Sequence, residues 1–243
     1  MNLVVDAGNS FVKLAVFTLE GTIVHSENGT IADFNQAIRG IFAKYQKIKH
    51  AIISNVGGLH KNHINIVAVF CAVHELGTTT KVPFKNSYAS PQTLGVDRIA
   101  LATAAFCNFP NRNTLVIDAG TCITYDMVND AGEYLGGAIS PGIAMRYKAL
   151  HQHTAKLPLL ETSEILDFIG NSTENSIHSG VINGVCMEID GVINQYRSRF
   201  LHLTVILTGG DAQFLSKRLK NTIFANSKFL LEGLNFLLEY NKR

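Results

Sequence analysis

The sequence of 243 residues contains no tryptophan, only 5 prolines and 4 cysteines, and only 16% of its residues are charged. The cysteines are far apart and form no Cys-x-x-Cys pair, so reduced, mostly buried thiols are the simplest interpretation. The hydrophobic fraction of 47% is sufficient for a large core and excludes a disordered chain. The length fits one large domain or two domains of ordinary size.

Long hydrophobic runs and basic patches are also missing. No uninterrupted apolar run reaches the ~20 residues that cross a bilayer, and no basic segment precedes Asp6, as it would in a secretory signal. The net charge is +2 and the lysines and arginines are scattered, so no face for nucleic acid is indicated. We therefore expect a cytoplasmic protein that binds neither membranes nor nucleic acid.

One pair of histidines has a spacing that would suit a metal. His60 and His63 would lie on the same face of a helix, but no third ligand is close to them in the sequence. A surface helix is therefore favoured over a zinc site.

The sequence contains one clear internal repeat. The stretch "LVVDAG" at residues 3–8 returns almost unchanged as "LVIDAG" at residues 115–120. In each copy an apolar strand leads through a glycine turn into further strands, as expected for a meander. A helical spacing of apolar residues follows, over residues 32–45 in the first copy and 143–150 in the second.

Later segments alternate between strand and helix patterns. We predict strands at residues 51–55 and 203–207, and helices at residues 60–70, 96–109, 212–219 and 230–240. A duplicated meander-and-helix unit predicts an α/β protein with two similar lobes. Pro110 and the polar residues after it separate the copies, so we place the lobes at residues 1–112 and 113–243.

The longest helix pattern covers residues 174–200. Asn171, Ser172 and Thr173 precede it and can satisfy its first unpaired amides. It also contains three glycines, each of which costs ~1 kcal/mol relative to alanine: Gly180, Gly184 and Gly191. Close approach of another helix or a ligand is one explanation for them, and simple tolerance is the other.

The repeated turns have the chemistry of a phosphate site. Each places an aspartate, Asp6 or Asp118, at the end of a strand, followed by a glycine that lets the backbone turn tightly with free N–H groups. Two carboxylates and a polyphosphate repel one another unless a cation lies between them, which implies Mg²⁺. Lys13 would supply further positive charge to the phosphates.

A plain turn after a buried strand is the competing interpretation. It would be favoured for one Asp-Ala-Gly, but two copies in equivalent units favour a site. A third glycine loop, "TGGDA" at residues 208–212, also follows an apolar strand and opens a helix, and it suits the sugar or phosphate of a nucleotide.

Together these motifs resemble the type III pantothenate kinases, members of the actin, sugar-kinase and heat-shock-chaperone superfamily. "DAGNSFVK" resembles the first phosphate motif of that family, with Ser10 where threonine is usual, and "DAGTCITYD" resembles the second. "TGGDA" resembles the adenosine motif, "GVDR" the pantothenate motif, and "GGAISPG" a stretch that follows the second meander. The matches span nearly the whole chain in the family order.

The resemblance implies a fold and a set of residue roles. The fold would be two duplicated ribonuclease-H-like lobes with ATP bound in the cleft between them. A monovalent cation, K⁺ or NH₄⁺, would lie by Asp118, and Asp97 would orient and deprotonate the acceptor hydroxyl. The ATP-binding residues would be Asp6, Ala7, Gly8, Asn9, Ser10, Phe11, Val12, Lys13 and Thr121. The pantothenate-binding residues would be Tyr88, Gly95, Val96, Asp97, Arg98 and Thr173.

Physical chemistry supports part of this assignment. Pantothenate carries a carboxylate, for which Arg98 offers a bidentate fork, and Thr173 at the start of a helix also favours an anion. The implied activity is ATP-dependent phosphorylation of pantothenate by a homodimer. A kinase acting on another small molecule is one alternative, against which "GVDR" argues. A non-catalytic regulator is the other, against which the intact set Asp6, Asp97, Arg98 and Asp118 argues.

Overall fold

The computed structural model describes residues 1–8, 11–77, 79–164 and 167–242. The chain divides into two units. The first consists of Met1–Pro110 together with the segment that begins at Lys228, and the second is Asn111–Ser227.

The first unit is built on a sheet with the strand order β3-β2-β1-β4-β5. Strands β1, β2 and β3 are antiparallel neighbours, whereas β4 runs parallel to β1 and β5 parallel to β4. The strands of this sheet are β1 (Asn2–Ala7), β2 (Val12–Phe17), β3 (Ile23–Gly29), β4 (His50–Asn55) and β5 (Ala72–Glu75). A further short strand, β6 (Lys85–Asn86), is not one of these five.

Helices pack on both faces of this sheet. Helices α1 (Phe34–Lys44) and α2 (Lys61–Ala68) cover the face formed by alternate residues such as Leu3, Val5 and Ala7. Helix α3 (Val96–Asn108) packs against the C-terminal helix α7 (Phe229–Asn241), which lies on β1 and β4. A hydrogen bond of 2.8 Å from Asn2 Nδ2 to Asn235 Oδ1 ties α7 to the opposite face of β1, the face to which Asp6 also projects.

The second unit repeats this topology. Its strands are ordered β9-β8-β7-β10-β11, with antiparallel pairs β7–β8 and β8–β9 and parallel pairs β7–β10 and β10–β11. They are β7 (Thr114–Ala119), β8 (Cys122–Val128), β9 (Glu133–Pro141), β10 (Thr204–Thr208) and β11 (Phe224–Ala225). Helices α4 (Ile143–Gln152), α5 (Thr173–Arg199) and α6 (Ala212–Ser216) contribute to the core on one face. The predicted α/β class with two sheets of one pattern is confirmed.

The C-terminal helix belongs to the first unit, whereas the predicted division at residues 112 and 113 assigned it to the second lobe. Gly233 is the physical reason that α7 and α3 pack so closely. A Cβ at Gly233 would overlap the carbonyl oxygen of Ala100, so only glycine permits this crossing. The chain itself passes from the first unit to the second between Pro110 and Asn111.

The long helix α5 begins at Thr173, one residue before its predicted start, and the Ser172 side chain caps it by accepting from Asn175 N at 3.1 Å. In the part of the chain that the structure describes, no atom apart from the adjacent residues and nearby backbone of α5 lies within 4 Å of a Cβ built on any of its three glycines. No described helix is long and apolar enough to cross a membrane.

Candidate active site

The first strand-end carboxylate, Asp6, is almost completely buried, with 5% of its surface exposed. On the antiparallel side it lies opposite Lys13, and on the parallel side opposite Ser54. Burial raises the pKa of Asp6 to about 6, against the opposing effect of the Lys13 charge, while Asp97 raises it further. An ionised Asp6 is therefore costly unless a cation accompanies it.

Ser54 is a second buried polar group beside Asp6. Its hydroxyl oxygen makes no hydrogen bond of acceptable geometry with the described residues. It nevertheless lies near enough to the Asp6 carboxyl to oppose the rise of that pKa. This hydroxyl is available to whatever occupies the end of β1.

The first hairpin closes with a hydrogen bond of 3.1 Å from Gly8 N to Phe11 O. Ala7 and Val12 are buried where the strands enter the turn, and Phe11 is exposed. Asn9 and Ser10, both predicted to bind ATP, lie outside the described residues.

A loop that the sequence interpretation left without a role lies directly against this hairpin. Val56 N donates to Ala7 O at 3.0 Å, and a Cβ at Gly57 would overlap the carbonyl oxygen of Gly8. The loop is the "NVGG" stretch after β4, the parallel neighbour of β1. The signal that could have identified it was present, since two glycines follow an apolar strand here as they do in "TGGDA".

The proposed acceptor residues gather at the start of α3, in the first unit. Arg98 is buried, and its guanidinium carbon lies 5.6 Å from the centre of the Tyr88 ring, a cation–π distance. Asp97 Oδ1 accepts a hydrogen bond of 2.8 Å from Arg98 N. A Cβ at Gly95 would lie 2.5 Å from that same oxygen, so the glycine leaves room for the Asp97 carboxylate. Val96, the first residue of α3, is half-buried.

The second strand-end carboxylate, Asp118, is half-buried and occupies the matching place in the second unit. It lies opposite Thr124 on the antiparallel strand and opposite Thr208 on the parallel strand. The hairpin after it closes with a hydrogen bond of 2.9 Å from Gly120 N to Cys122 O, leaving Thr121 exposed at its tip.

The third glycine loop packs onto this second carboxylate. Asp211 N donates to Ala119 O at 3.0 Å, and Gly209 has a φ of 96°. A Cβ at Gly209 would overlap both Asp118 Oδ1 and the carbonyl oxygen of Ala119. Two oxygens thus face a space that only glycine leaves open. Burial raises the pKa of the Asp211 carboxyl above its usual value.

The stretch "GGAISPG" supports the same hairpin. Gly142 N donates to Thr121 O at 3.1 Å, and a Cβ at Gly142 would overlap the carbonyl oxygens of Gly120 and Thr121. Helix α4 begins immediately after Gly142, so the hairpin rests on the start of that helix.

Thr173 lies elsewhere in the second unit, on an open groove of about 1080 Å³. The groove runs between α4 and α5 and is lined by residues that include Arg146, Leu150, Ile177 and Gly180. Each unit therefore assembles its own set of the predicted residues. Asp6, Lys13 and Asp97 interact in the first, and Asp118 meets the "TGGDA" loop in the second.

Among the described residues, no group of three or more His, Cys, Asp or Glu is arranged to hold a metal. His63 Nδ1 instead accepts a hydrogen bond of 3.1 Å from His60 N and caps α2. The four cysteines are free and half-buried.

Sequence comparison identifies close relatives of this chain. A family model described as type III pantothenate kinase matches residues 2–195. A type III pantothenate kinase of Christiangramia forsetii is 50% identical over 242 residues, covering 100% of this chain and 99% of that protein. One of Flavobacterium psychrophilum is 47% identical, with both chains covered completely.

Solved structures share the fold at lower identity. A Baf family transcriptional activator from Campylobacter jejuni superposes with a TM-score of 0.65 and 24% identity over 99% of this chain and 98% of that one. A glucokinase from an Antarctic psychrotroph gives a TM-score of 0.53 with 14% identity, covering 99% of each chain. At these identities the likeness shows the fold alone, so the word activator does not transfer to this chain.

Proposed function

The chain belongs to the type III pantothenate kinase family, and from that membership we propose that it transfers the γ-phosphate of ATP to the primary hydroxyl of pantothenate. The product would be 4′-phosphopantothenate, and the reaction would be the first step of coenzyme A biosynthesis. The observation that carries the proposal lies in the first unit, where Asp97 and the buried Arg98 begin α3 and Asp97 acts electrostatically on the strand-end Asp6.

Arg98 would hold the acceptor. A guanidinium binds a carboxylate through two parallel N–H donors, and the Arg98 guanidinium also lies at a cation–π distance from the Tyr88 ring. Gly95 and Val96 would line the same acceptor site, and Thr173 would contribute a hydroxyl at the start of α5. A substrate with a carboxylate at one end and a primary hydroxyl at the other suits this pairing.

Asp97 would act on the hydroxyl that attacks the phosphate. Its Oδ1 already accepts from Arg98 N, so the carboxylate is held in one orientation next to the group that binds the acceptor. In the transfer, the hydroxyl oxygen bonds to the γ-phosphorus, the bond from that phosphorus to the β-bridging oxygen of ATP breaks, and Asp97 takes the hydroxyl proton. Because the transition state is loose, alignment contributes much of the effect.

The two hairpins would bind ATP through their backbone amides, with Lys13 and the hydroxyl of Thr121 as side-chain partners. Asn9, Ser10 and Phe11 would lie at the first hairpin. Asp6 suits a role with Mg²⁺, because a nearly buried carboxylate ionises readily only when a cation is near. Bound Mg²⁺ would neutralise the charge of the phosphates.

Asp118 suits the monovalent cation, K⁺ or NH₄⁺, that the family resemblance implies. Asp118 Oδ1 and Ala119 O face the space left by Gly209, and threonines stand on both neighbouring strands. These are oxygen donors, the ligand type that hard cations prefer. The ion would supply positive charge next to the phosphates.

We further propose a cytoplasmic homodimer. The three glycines of α5 have no described atom, apart from the adjacent residues and nearby backbone of α5, within 4 Å of their Cβ positions, although each weakens the helix by ~1 kcal/mol. A second copy packed on this helix would explain their presence. Sedimentation at micromolar concentration tests this assembly directly, and an active monomer would contradict it.

The experiment that tests the function is ATP turnover by the purified protein with and without pantothenate, with the product identified by its mass. We expect ADP formation that requires pantothenate and yields a singly phosphorylated acceptor. Pantothenol, which carries a hydroxyl in place of the carboxylate, serves as the matched acceptor and should be used poorly. ATP turnover that does not depend on pantothenate, or no ATP turnover in its presence, would contradict the proposal.

A further inference from the structure

In both units the strand-end aspartate has the same position in the sheet, but the residues opposite it on the adjacent strands differ. Ser54 and Thr208 occupy equivalent places on the parallel strands, so a hydroxyl is kept there. On the antiparallel strands, Lys13 lies opposite Asp6 whereas Thr124 lies opposite Asp118. The second unit therefore has a neutral oxygen where the first has an ammonium group.

The hydrogen bonds of the two hairpins support this correspondence. Gly8 N bonds to Phe11 O, and Gly120 N bonds to Cys122 O, so the second turn is one residue shorter. After the turns the registers agree again, because Ala7 faces Val12 and Ala119 faces Ile123. Lys13 and Thr124, each the next residue along, occupy equivalent positions.

The exchange of lysine for threonine changes the local charge. Directly opposed residues of antiparallel strands project onto one face with Cβ atoms roughly 5 Å apart, and the Lys13 charge does act on Asp6. Thr124 instead donates its hydroxyl hydrogen to Asp126 Oδ2 at 3.0 Å, while Tyr134 donates to Asp126 Oδ1 at 2.7 Å. With that hydrogen directed at Asp126, the Thr124 oxygen remains an acceptor, which suits a cation.

We propose that Thr124 sets the monovalent-cation requirement of the second unit, and that the ion takes beside Asp118 the place that the Lys13 ammonium takes beside Asp6. The inference rests on the proposed function, in which Asp118 lies by such an ion. An NH₄⁺ ion and a lysine ammonium carry the same charge on the same atom, and one of them is tethered to the chain. A lysine at position 124 should therefore replace the free ion.

The test is the substitution Thr124→Lys, followed by calorimetric binding of Mg²⁺ with a non-hydrolysable ATP analogue, without pantothenate. Titrations in K⁺ and in Na⁺ at equal ionic strength exclude a screening effect. We expect the wild type to bind more tightly in K⁺ by roughly 5- to 150-fold, the usual range of coupling between two ligands. Thr124→Lys should bind equally, and as tightly as the wild type in K⁺, in both salts.

Thr124→Met is the matched control, since its side chain is long but uncharged. It should bind weakly in both salts. A Thr124→Lys variant that keeps the K⁺ preference, or that binds as weakly as Thr124→Met while folded by circular dichroism, would overturn the inference. If Thr124→Lys does not fold, Lys13→Thr decides the matter. It should enlarge the preference for K⁺ over Na⁺, and an unchanged preference would overturn the inference.

The same titrations separate this inference from the proposed function. A wild type that binds the analogue more tightly in K⁺ but never phosphorylates pantothenate would overturn the function and leave the cation role of Thr124 intact. A wild type that phosphorylates pantothenate but binds the analogue equally in both salts would overturn the inference alone.

Discussion

The strands of the two units follow the same order, and a glycine N–H closes the hairpin after each aspartate, but the units surround their aspartates differently. Asp6 is almost completely buried beside a lysine, whereas Asp118 is half-buried between two threonines. After the sheet, the first unit places Asp97 and Arg98 at the start of α3. The two units thus share one arrangement of strands and differ in a few side chains around their aspartates.

The largest expected effect comes from a residue that has no counterpart in the repeat. Asp97→Asn keeps the shape of the side chain and removes its basicity, so turnover at saturating pantothenate should fall by roughly 10²–10⁴-fold. Steady-state kinetics measure this, with Asp130→Asn in an exposed turn as the matched control. If Asp97→Asn turns over at close to the wild-type rate, Asp97 is not the base.

Arg98→Lys should come next. Lysine keeps the charge but loses the bidentate fork, so we expect the KM for pantothenate to rise by roughly 10- to 100-fold. The KM for Mg·ATP should change little, because the proposed nucleotide contacts lie at the hairpins and not at Arg98. Pantothenol sharpens the test, since the variant should discriminate less between the two acceptors than the wild type does. Equal losses for both acceptors would place Arg98 outside carboxylate recognition.

Asp6→Asn should lower the activity of the protein and raise its stability at neutral pH. The pKa of Asp6 is raised from 3.8 to about 6 in the folded state, so the folded protein binds more protons than the unfolded chain between these values. Wild-type stability should therefore fall by at most about 3 kcal/mol as pH rises from 4 to 7. Asp6→Asn lacks this fall and should be the more stable protein above pH 6.

Urea unfolding of both proteins across this pH range measures the difference in the free energy of unfolding. The difference should grow toward neutral pH for Asp6→Asn and stay constant for the exposed Asp130→Asn. A difference that does not change with pH would show that the desolvation of Asp6 has little energetic weight.

Gly57→Ala and Gly209→Ala compare the two glycine loops and should have the smallest effects. Each added Cβ would overlap a backbone oxygen of the hairpin beside it, so we expect a loss of roughly 1–3 kcal/mol in unfolding free energy. Only Gly209→Ala also displaces an aspartate oxygen, Asp118 Oδ1, so it alone should weaken the K⁺ response. Gly40→Ala, on an open helix surface, is the control and should be neutral or slightly stabilising. Equal effects of all three would contradict the close packing.

Local patterns predicted most of the helices and the paired hairpins, because amphipathic spacing and turn residues are read within a short window. The short strands β5, β6 and β11 were missed, since they carry no alternating pattern and form through pairing alone. The place of α7 was also missed. Its apolar stripe shows that it packs on something, but its contacts with α3, β1 and β4, which determine the unit, are distant in sequence and have no local pattern.

The site shows the same limit. Asp6 and Asp118 could be found from the repeat, and Asp97 and Arg98 from the family resemblance. The two glycines of the "NVGG" loop were a signal that the prediction did not use. The exchange of Lys13 for Thr124 could not be found, because it depends on strand register. The second hairpin is one residue shorter than the first, so a comparison of the two sequences without gaps does not pair Lys13 with Thr124.

The proposed function assigns different cations to the two matching aspartates, Mg²⁺ to Asp6 and K⁺ or NH₄⁺ to Asp118. The direct measurement is the affinity of Mg²⁺ and an ATP analogue for Asp6→Asn and Asp118→Asn, titrated in K⁺ and in Na⁺. Asp6→Asn should bind more weakly than the wild type in both salts and keep the K⁺ preference, whereas Asp118→Asn should lose that preference. If both variants keep the preference, or both lose it, the two aspartates do not have the separate roles described for them.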